Sequence, residues 1–336
     1  MKFRTPYMPE PGVVRLSPAR PVIMLGSCFS DNLSARMRRC LWRAENPLGV
    51  LYNPLSISRA IDLMLRDIGL EEHGDATIFQ SYGVYHSWLF DSSVSSYERK
   101  LTLEDLSAMG ARMHYLLENA CALFVTFGTA TAWYLADRED YVVGNCHKQP
   151  SDMFSSRRLG IEEIVEEWKT TVTRIHEDYP DLPIVFTVSP VRYIKEGFVE
   201  NARAKATLIL AIERICMETE GCHYFPAYEI YMDDLRDYRF YASDLVHPSE
   251  EGVDYIWEIF QQTYLGEEEQ RILHAGRDIV RRYFHRPNIK VRTAPQEANM
   301  KKWREDTLEL CYNPFREAYP ETLTLEELEC ELKGAF

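Results

Sequence analysis

The sequence lacks any long apolar run: nowhere in its 336 residues do apolar positions approach the ~20 in a row that a membrane helix needs. Positive charge is also in deficit. Lys and Arg number 38 against 52 Asp and Glu, a net charge of −14. Nucleic acid and anionic membrane surfaces both reward Lys and Arg, so neither is expected as the main partner. There are eight cysteines, but no C-x-x-C pair, and no two histidines stand at zinc spacing. A disulfide framework and a structural metal are therefore not expected, and reduced thiols are the simpler assignment. No internal repeat or low-complexity segment occurs. The first twenty residues carry Arg4, Glu10, Arg15 and Arg20 among prolines, without the apolar stretch of a secretory signal, so a cytoplasmic location is the expectation.

Hydrophobic residues make up 46% and charged residues 27%, a balance that supports a sizeable core and argues against global disorder. At roughly 100–200 residues per domain, the length allows one large domain or two ordinary ones. Short apolar runs alternate with longer amphipathic stretches. Pro21 to Gly26 predicts a buried strand, as do Ala120 to Phe127, Leu182 to Val188 and, more weakly, Cys222 to Ile230. A further strand is a candidate near 42–47. Helical patterns fall at about 31–41, 57–68, 103–118, 161–178, 200–219 and 249–264. Strands alternating with helices predict an α/β fold with a mainly parallel sheet and helices on both faces. From 267 onward the pattern is helical only, with amphipathic stretches at 267–284, about 297–311 and 324–333. Pro287 and Pro295 bracket a short extended piece between the first two. Residues 1–266 are thus expected to form the α/β domain, and 267–336 a helical C-terminal extension.

Open parallel sheets bind ligands beyond the carboxyl ends of their strands. Ser27 stands there, between a strand and a helix N-terminus, where unpaired backbone N–H groups can hold an oxyanion. A helix-capping role would place the same residue in the same spot. Asp244 and His247 have the spacing that lets a carboxylate orient an imidazole. Its other nitrogen is then left to take a proton, and Pro248 suits the first turn of the helix that follows. A plain surface turn has the same spacing. Cys28 and Cys146 are rival nucleophiles. A helix N-terminus lowers a thiol pKa, yet the Cys28 side chain should point toward the helix body, and packing is its expected role. The aromatic stretch Tyr82, Tyr85, His86, Trp88 and Phe90 is read as packing at a sheet edge, with a substrate-facing lid as the alternative.

Together, Gly26-Ser27-Cys28-Phe29-Ser30 near the start and Asp244-x-x-His247-Pro248-Ser249 near the end resemble the SGNH (GDSL-like) hydrolases. The first block is similar to the signature of the GSCFA family, with Ser30 where that name has Ala. The resemblance continues through Asn46-Pro47 to Asn53-Pro54, Gly128-Thr129-Ala130, Asn145-Cys146-His147-Lys148 and Ser189-Pro190-Val191-Arg192, over about residues 20–265. It implies a three-layer, flavodoxin-like fold. It also implies Ser27 as nucleophile, His247 as base and Asp244 as the residue that orients it, with no cofactor. The oxyanion hole is expected from Ser27, Gly49 and Asn145. Asn145 would stand in for an asparagine missing after Gly128, where SGNH enzymes carry Gly-x-Asn-Asp and this chain carries Thr129-Ala130-Thr131. Asn53, His147, Lys148 and Arg192 are candidate substrate-binding residues, the last three suited to an anionic or polyhydroxylated ligand.

The expected function is a serine-dependent esterase acting on a small-molecule or carbohydrate ester. An O-acyltransferase using the same three residues, or a non-catalytic ligand-binding protein on the same fold, are the alternatives.

Overall fold

A computed structural model describes residues 4–65, 74, 76–285 and 294–334. The strand β1 (Val22–Gly26) is fully buried and lies at the centre of a parallel sheet. Together with β2 (Ala44–Glu45) it starts the chain's alternation of strand and helix. The helices α1 (Cys28–Arg38) and α2 (Pro54–Met64) follow β1 and β2 in turn. A hairpin of β3 (Ile78–Ser81) and β4 (Val84–Ser87) precedes the long helix α3 (Arg99–Asn119). Next come β5 (Ala122–Phe127), then β6 (Thr131–Leu135), β7 (Arg138–Val143) and β8 (Phe154–Arg158). Helix α4 (Ile161–Asp178), strand β9 (Ile184–Val188), helix α5 (Phe198–Glu218) and strand β10 (Cys222–Phe225) complete the sheet.

The main sheet runs β10-β9-β5-β1-β2, all parallel, with Val22 opposite Ala122 and Leu123 opposite Ile184. Alternate side chains point to opposite faces. Ile23, Leu25, Leu123, Val125, Phe127, Ile184 and Phe186 pack against apolar residues of α2, α3, α4 and α5. Val22, Met24, Ala122, Phe124 and Val185 pack the other way, against α1 and the helix α6 (Glu250–Tyr264). The result is an α/β fold with helices on both faces of a parallel sheet. The weak fourth strand stops at Phe225 because Pro226 offers no N–H to continue the ladder.

Two antiparallel pieces lie outside this plan. The aromatic stretch forms the β3–β4 hairpin, and 131–158 forms a three-stranded sheet ordered β7-β6-β8. Phe79 and Trp88 stack with centroids 3.4 Å apart, and Trp88 packs with Leu135, Val143 and Phe154. The hairpin is thus pinned by packing to the second sheet, while Tyr82 at its tip, with φ +48°, is fully exposed.

Beyond the sheet, α7 (Glu267–Tyr283), α8 (Ala294–Thr307), α9 (Asn313–Ala318) and α10 (Leu325–Gly334) gather around Ile272, Ile279, Phe315, Leu325 and Leu328. This cluster includes Leu41, just after α1, so the C-terminal helices pack onto the α/β core. Gly276 permits the approach: a Cβ there would lie 2.1 Å from the Cys40 carbonyl oxygen. Pro287, and residues 66–68 of the helix expected at 57–68, lie outside the described residues. No described helix is long and apolar enough to cross a membrane.

Candidate functional site

The β1–α1 turn is built by two close approaches. Gly26 has φ +116°, and a Cβ on it would fall 2.2 Å from the Thr126 carbonyl oxygen, so only glycine lets β1 and β5 meet there. Ser27 then caps α1, its Oγ accepting from the Phe29 N–H at 3.3 Å. Its own N–H donates to Thr126 O at 3.2 Å, which engages a group expected in the oxyanion hole. Across from Ser27 lies Gly128, where a Cβ would stand 3.4 Å from the serine Cβ. Ser27 is only 1% exposed.

Asp244 and His247 form the second part. One carboxylate oxygen accepts the backbone N–H of Val246 (2.9 Å) and His247 (3.0 Å). The other lies 2.6 Å from His247 Nδ1. A carboxylate can only accept, so Nδ1 carries the hydrogen, and in the neutral ring the lone pair is on Nε2. The Val246 N–H, then the His247 ring and N–H, hold the Asp244 carboxyl down at about 2. The tight loop needs Leu245 at φ +58°. It is closed by the Ala242 N–H on His247 O (2.8 Å) and by a bridge between Tyr241 and Pro248. Pro248 therefore sits in this bridge, and the cap of α6 is Ser249, whose Oγ accepts from Gly252 N–H at 3.2 Å. The His247 side chain is half exposed. Among the described residues, no hydrogen bond joins Ser27 Oγ to His247.

The two parts are linked through the ends of β5 and β9. Lys205 on α5 is buried, and its Nζ donates to Gly128 O (2.7 Å) and Ser189 O (2.6 Å). Burial lowers its amine from the ordinary lysine range to about 7. Three residues past Ser189, Arg192 donates its N–H to Val246 O (3.1 Å) and its guanidinium to Leu245 O (3.3 Å). One lysine thus fixes the peptide beside Ser27 and the turn that docks the His247 loop. Sequence reasoning passed over it. The signal was there: Lys205 shares the apolar stripe of α5 with Leu208, Ile212 and Ile215, at helical spacing.

The other expected residues are spread around this edge. Gly49 has φ +69°, and a Cβ would meet Asp91 Oδ2 at 2.5 Å. Its N–H makes only a long 3.5 Å bond, to Asn46 O. The N–H groups of Gly128 and Thr129 are both taken by Tyr52 O, at 2.7 and 3.0 Å. Asn145 Oδ1 accepts the His147 N–H at 2.8 Å, closing a turn in which His147 and Lys148 both have positive φ. The His147 Nε2–H faces Ser87 O and Phe90 O, at 2.8 and 3.0 Å. Here its bonds tie the turn to the hairpin rather than leaving the ring open to a ligand. Asn53, also expected to bind substrate, is buried and caps α2, its Oδ1 accepting from Ser56 N–H at 2.9 Å. Lys148 is exposed. Burial, then the Asp31 carboxylate, push the Cys28 thiol up, and burial does the same for Cys146, so neither is activated as a thiolate. The helix N-terminus loses to desolvation at Cys28.

No curated protein and no solved structure matches the chain. A family model, that of the GSCFA family, matches residues 21–260, well over half of its length. The chain belongs to the GSCFA family.

Proposed function

We propose that this GSCFA-family protein is a serine-dependent ester hydrolase of the carbohydrate O-deacylase type, working as SGNH enzymes do. The observation that supports the proposal is the 2.6 Å Asp244–His247 contact, in a loop docked by Arg192 past the end of β9, on the same carboxyl edge of the sheet where Ser27 follows β1. In this mechanism Ser27 Oγ attacks the acyl carbonyl while His247 Nε2 takes the hydroxyl proton, and Asp244 steadies the imidazolium. The carbonyl oxygen becomes an oxyanion, for which Gly49 N–H is the least committed donor. Ser27 N–H joins it by leaving Thr126 O, and Asn145 keeps its amide NH2 for the same task. The alcohol departs with the proton from His247. Water then attacks the acyl-serine, His247 takes its proton and returns it to Ser27. A sugar hydroxyl in place of water makes the same site an O-acyltransferase. The near-complete burial of Ser27, with no bond to His247, favours as second reading a ligand-binding protein on this scaffold.

Turnover of p-nitrophenyl acetate by wild type and Ser27→Ala, compared at equal fold by circular dichroism, tests the proposal. Loss of at least about a thousandfold in the variant is expected. Equal turnover removes Ser27 as nucleophile.

A further inference from the structure

Next to the His247 loop, beyond the ends of β9 and β10, lies an open cavity of about 410 Å³. Its walls are Tyr228, Tyr231, Tyr238 and Tyr241 around Arg192. The guanidinium carbon stands 4.1 Å from the Tyr241 ring centroid and 5.0 Å from that of Tyr238. Arg192 has five N–H donors in a planar fork. One reaches Leu245 O, at 3.3 Å, and among the described residues no carboxylate forms an ion pair with it. The acids at the rim are engaged locally: Asp233 faces Arg236 and Asp237 faces Arg239, each at 3.7 Å. Tyr231 is held by its hydroxyl on Phe240 O at 2.8 Å, so that wall is rigid. Tyr228 stands between this cavity and Lys205, whose Nζ lies 5.7 Å from the ring centroid. Tyr228 and Lys205 thus connect the cavity wall to the peptide that faces Ser27.

A cation stacked on tyrosines, without an acid of its own, is an unusual expense in a chain of net charge −14. Tyrosine faces stack on flat or ring-shaped bodies, and a guanidinium fork pairs with a carboxylate in two parallel bonds. We infer that this cavity is the subsite for a ring bearing a carboxylate, held by Arg192 and resting against Tyr238, the most exposed of the four tyrosines. As the place where an ester substrate lodges, it rests on the hydrolase reading. As an anion-selective pocket, it stands on the geometry alone.

The test uses binding, measured on Ser27→Ala protein so that nothing is turned over. Two matched pairs of probes are titrated by calorimetry: p-nitrophenyl β-D-glucuronide against the β-D-glucoside, and benzoate against benzamide. At least one anion is expected to bind roughly tenfold tighter than its neutral partner, the ratio of one charge-assisted hydrogen bond. The pair that shows it tells a sugar ring from an aromatic one. Arg192→Gln should bring that ratio near unity. Tyr238→Ala, at an exposed side chain, should weaken both members of the pair and keep their ratio. No anion preference in either pair overturns the inference, as does a preference that survives Arg192→Gln. Either result leaves the Ser27 assay untouched. Conversely, turnover independent of Ser27 would remove the hydrolase reading and leave the pocket standing.

Discussion

Replacing Lys205 by Met should change how stability depends on pH, and the structure sets the size of the change. The amine is buried, and burial lowers it from 10.5 to about 7. Between those values the unfolded lysine keeps a proton that the folded one has released. The unfolded state then binds more protons, so stability rises with pH across that window. Below about pH 7 both states are protonated and the slope vanishes. Each unit is worth about 1.4 kcal/mol, so going from about pH 7 to 9.5 adds at most about 3 kcal/mol. The bonds to Gly128 O and Ser189 O favour the ammonium and narrow the window, leaving a gain of about 1.5–3 kcal/mol. Methionine fills similar space and does not titrate. Urea unfolding of both proteins across this range should show wild type gaining that much stability relative to Lys205→Met as pH rises. Titrations common to both cancel in the difference. The Cys28 thiol is coupled to the lysine, so the pair is best compared in a Cys28→Ser background. A gap that stays constant with pH would mean the folded amine keeps its proton, and the burial argument would fail.

Asp244→Asn keeps an oxygen for the Val246 and His247 N–H groups but loses the charge that faces Nδ1. Ester turnover should fall roughly 10³–10⁴-fold, and the urea unfolding midpoint should barely move at this exposed site; a large stability loss would make Asp244 a structural residue. Gly83→Ala, at φ +81° with open space around it, should cost only the left-handed backbone strain, about 1–2 kcal/mol. Gly49→Ala adds a clash with Asp91 to the same strain and should cost clearly more by the same assay; equal losses would show that Asp91 yields without cost.

Four strands of the main sheet were legible because burial on both faces turns them into near-continuous apolar runs, as in Ala122–Phe127 and Ile184–Val188. The two-residue strand β2 sits within the weak 42–47 candidate. The antiparallel pieces were not legible. β7 (Arg138–Val143) begins with Arg-Glu-Asp, and β8 (Phe154–Arg158) carries two serines and two arginines, so neither has an apolar signature. Their partner strand β6 and the Trp88 cluster hold them by tertiary packing that sequence periodicity does not record. The Asp244–His247 contact was readable from spacing alone, since three residues of loop suffice. The roles of Asn53 and His147 were not. Helix capping and a long-range bond to the hairpin carbonyls depend on where the chain turns, and polar residues after a strand look alike in either role. Lys205 escaped notice for the opposite reason, as a charge inside a helix stripe that otherwise reads as ordinary core.

In the proposed mechanism, His247 makes Ser27 nucleophilic. A fluorophosphonate, which reacts with activated serines, followed by mass spectrometry of the peptide holding Ser27, Cys28 and Ser30, tests it most directly. A phosphonyl group on Ser27 alone is expected, and its disappearance in His247→Ala protein that is still folded. Label on a neighbouring residue, label equally strong without His247, or no label on the folded wild type would contradict it.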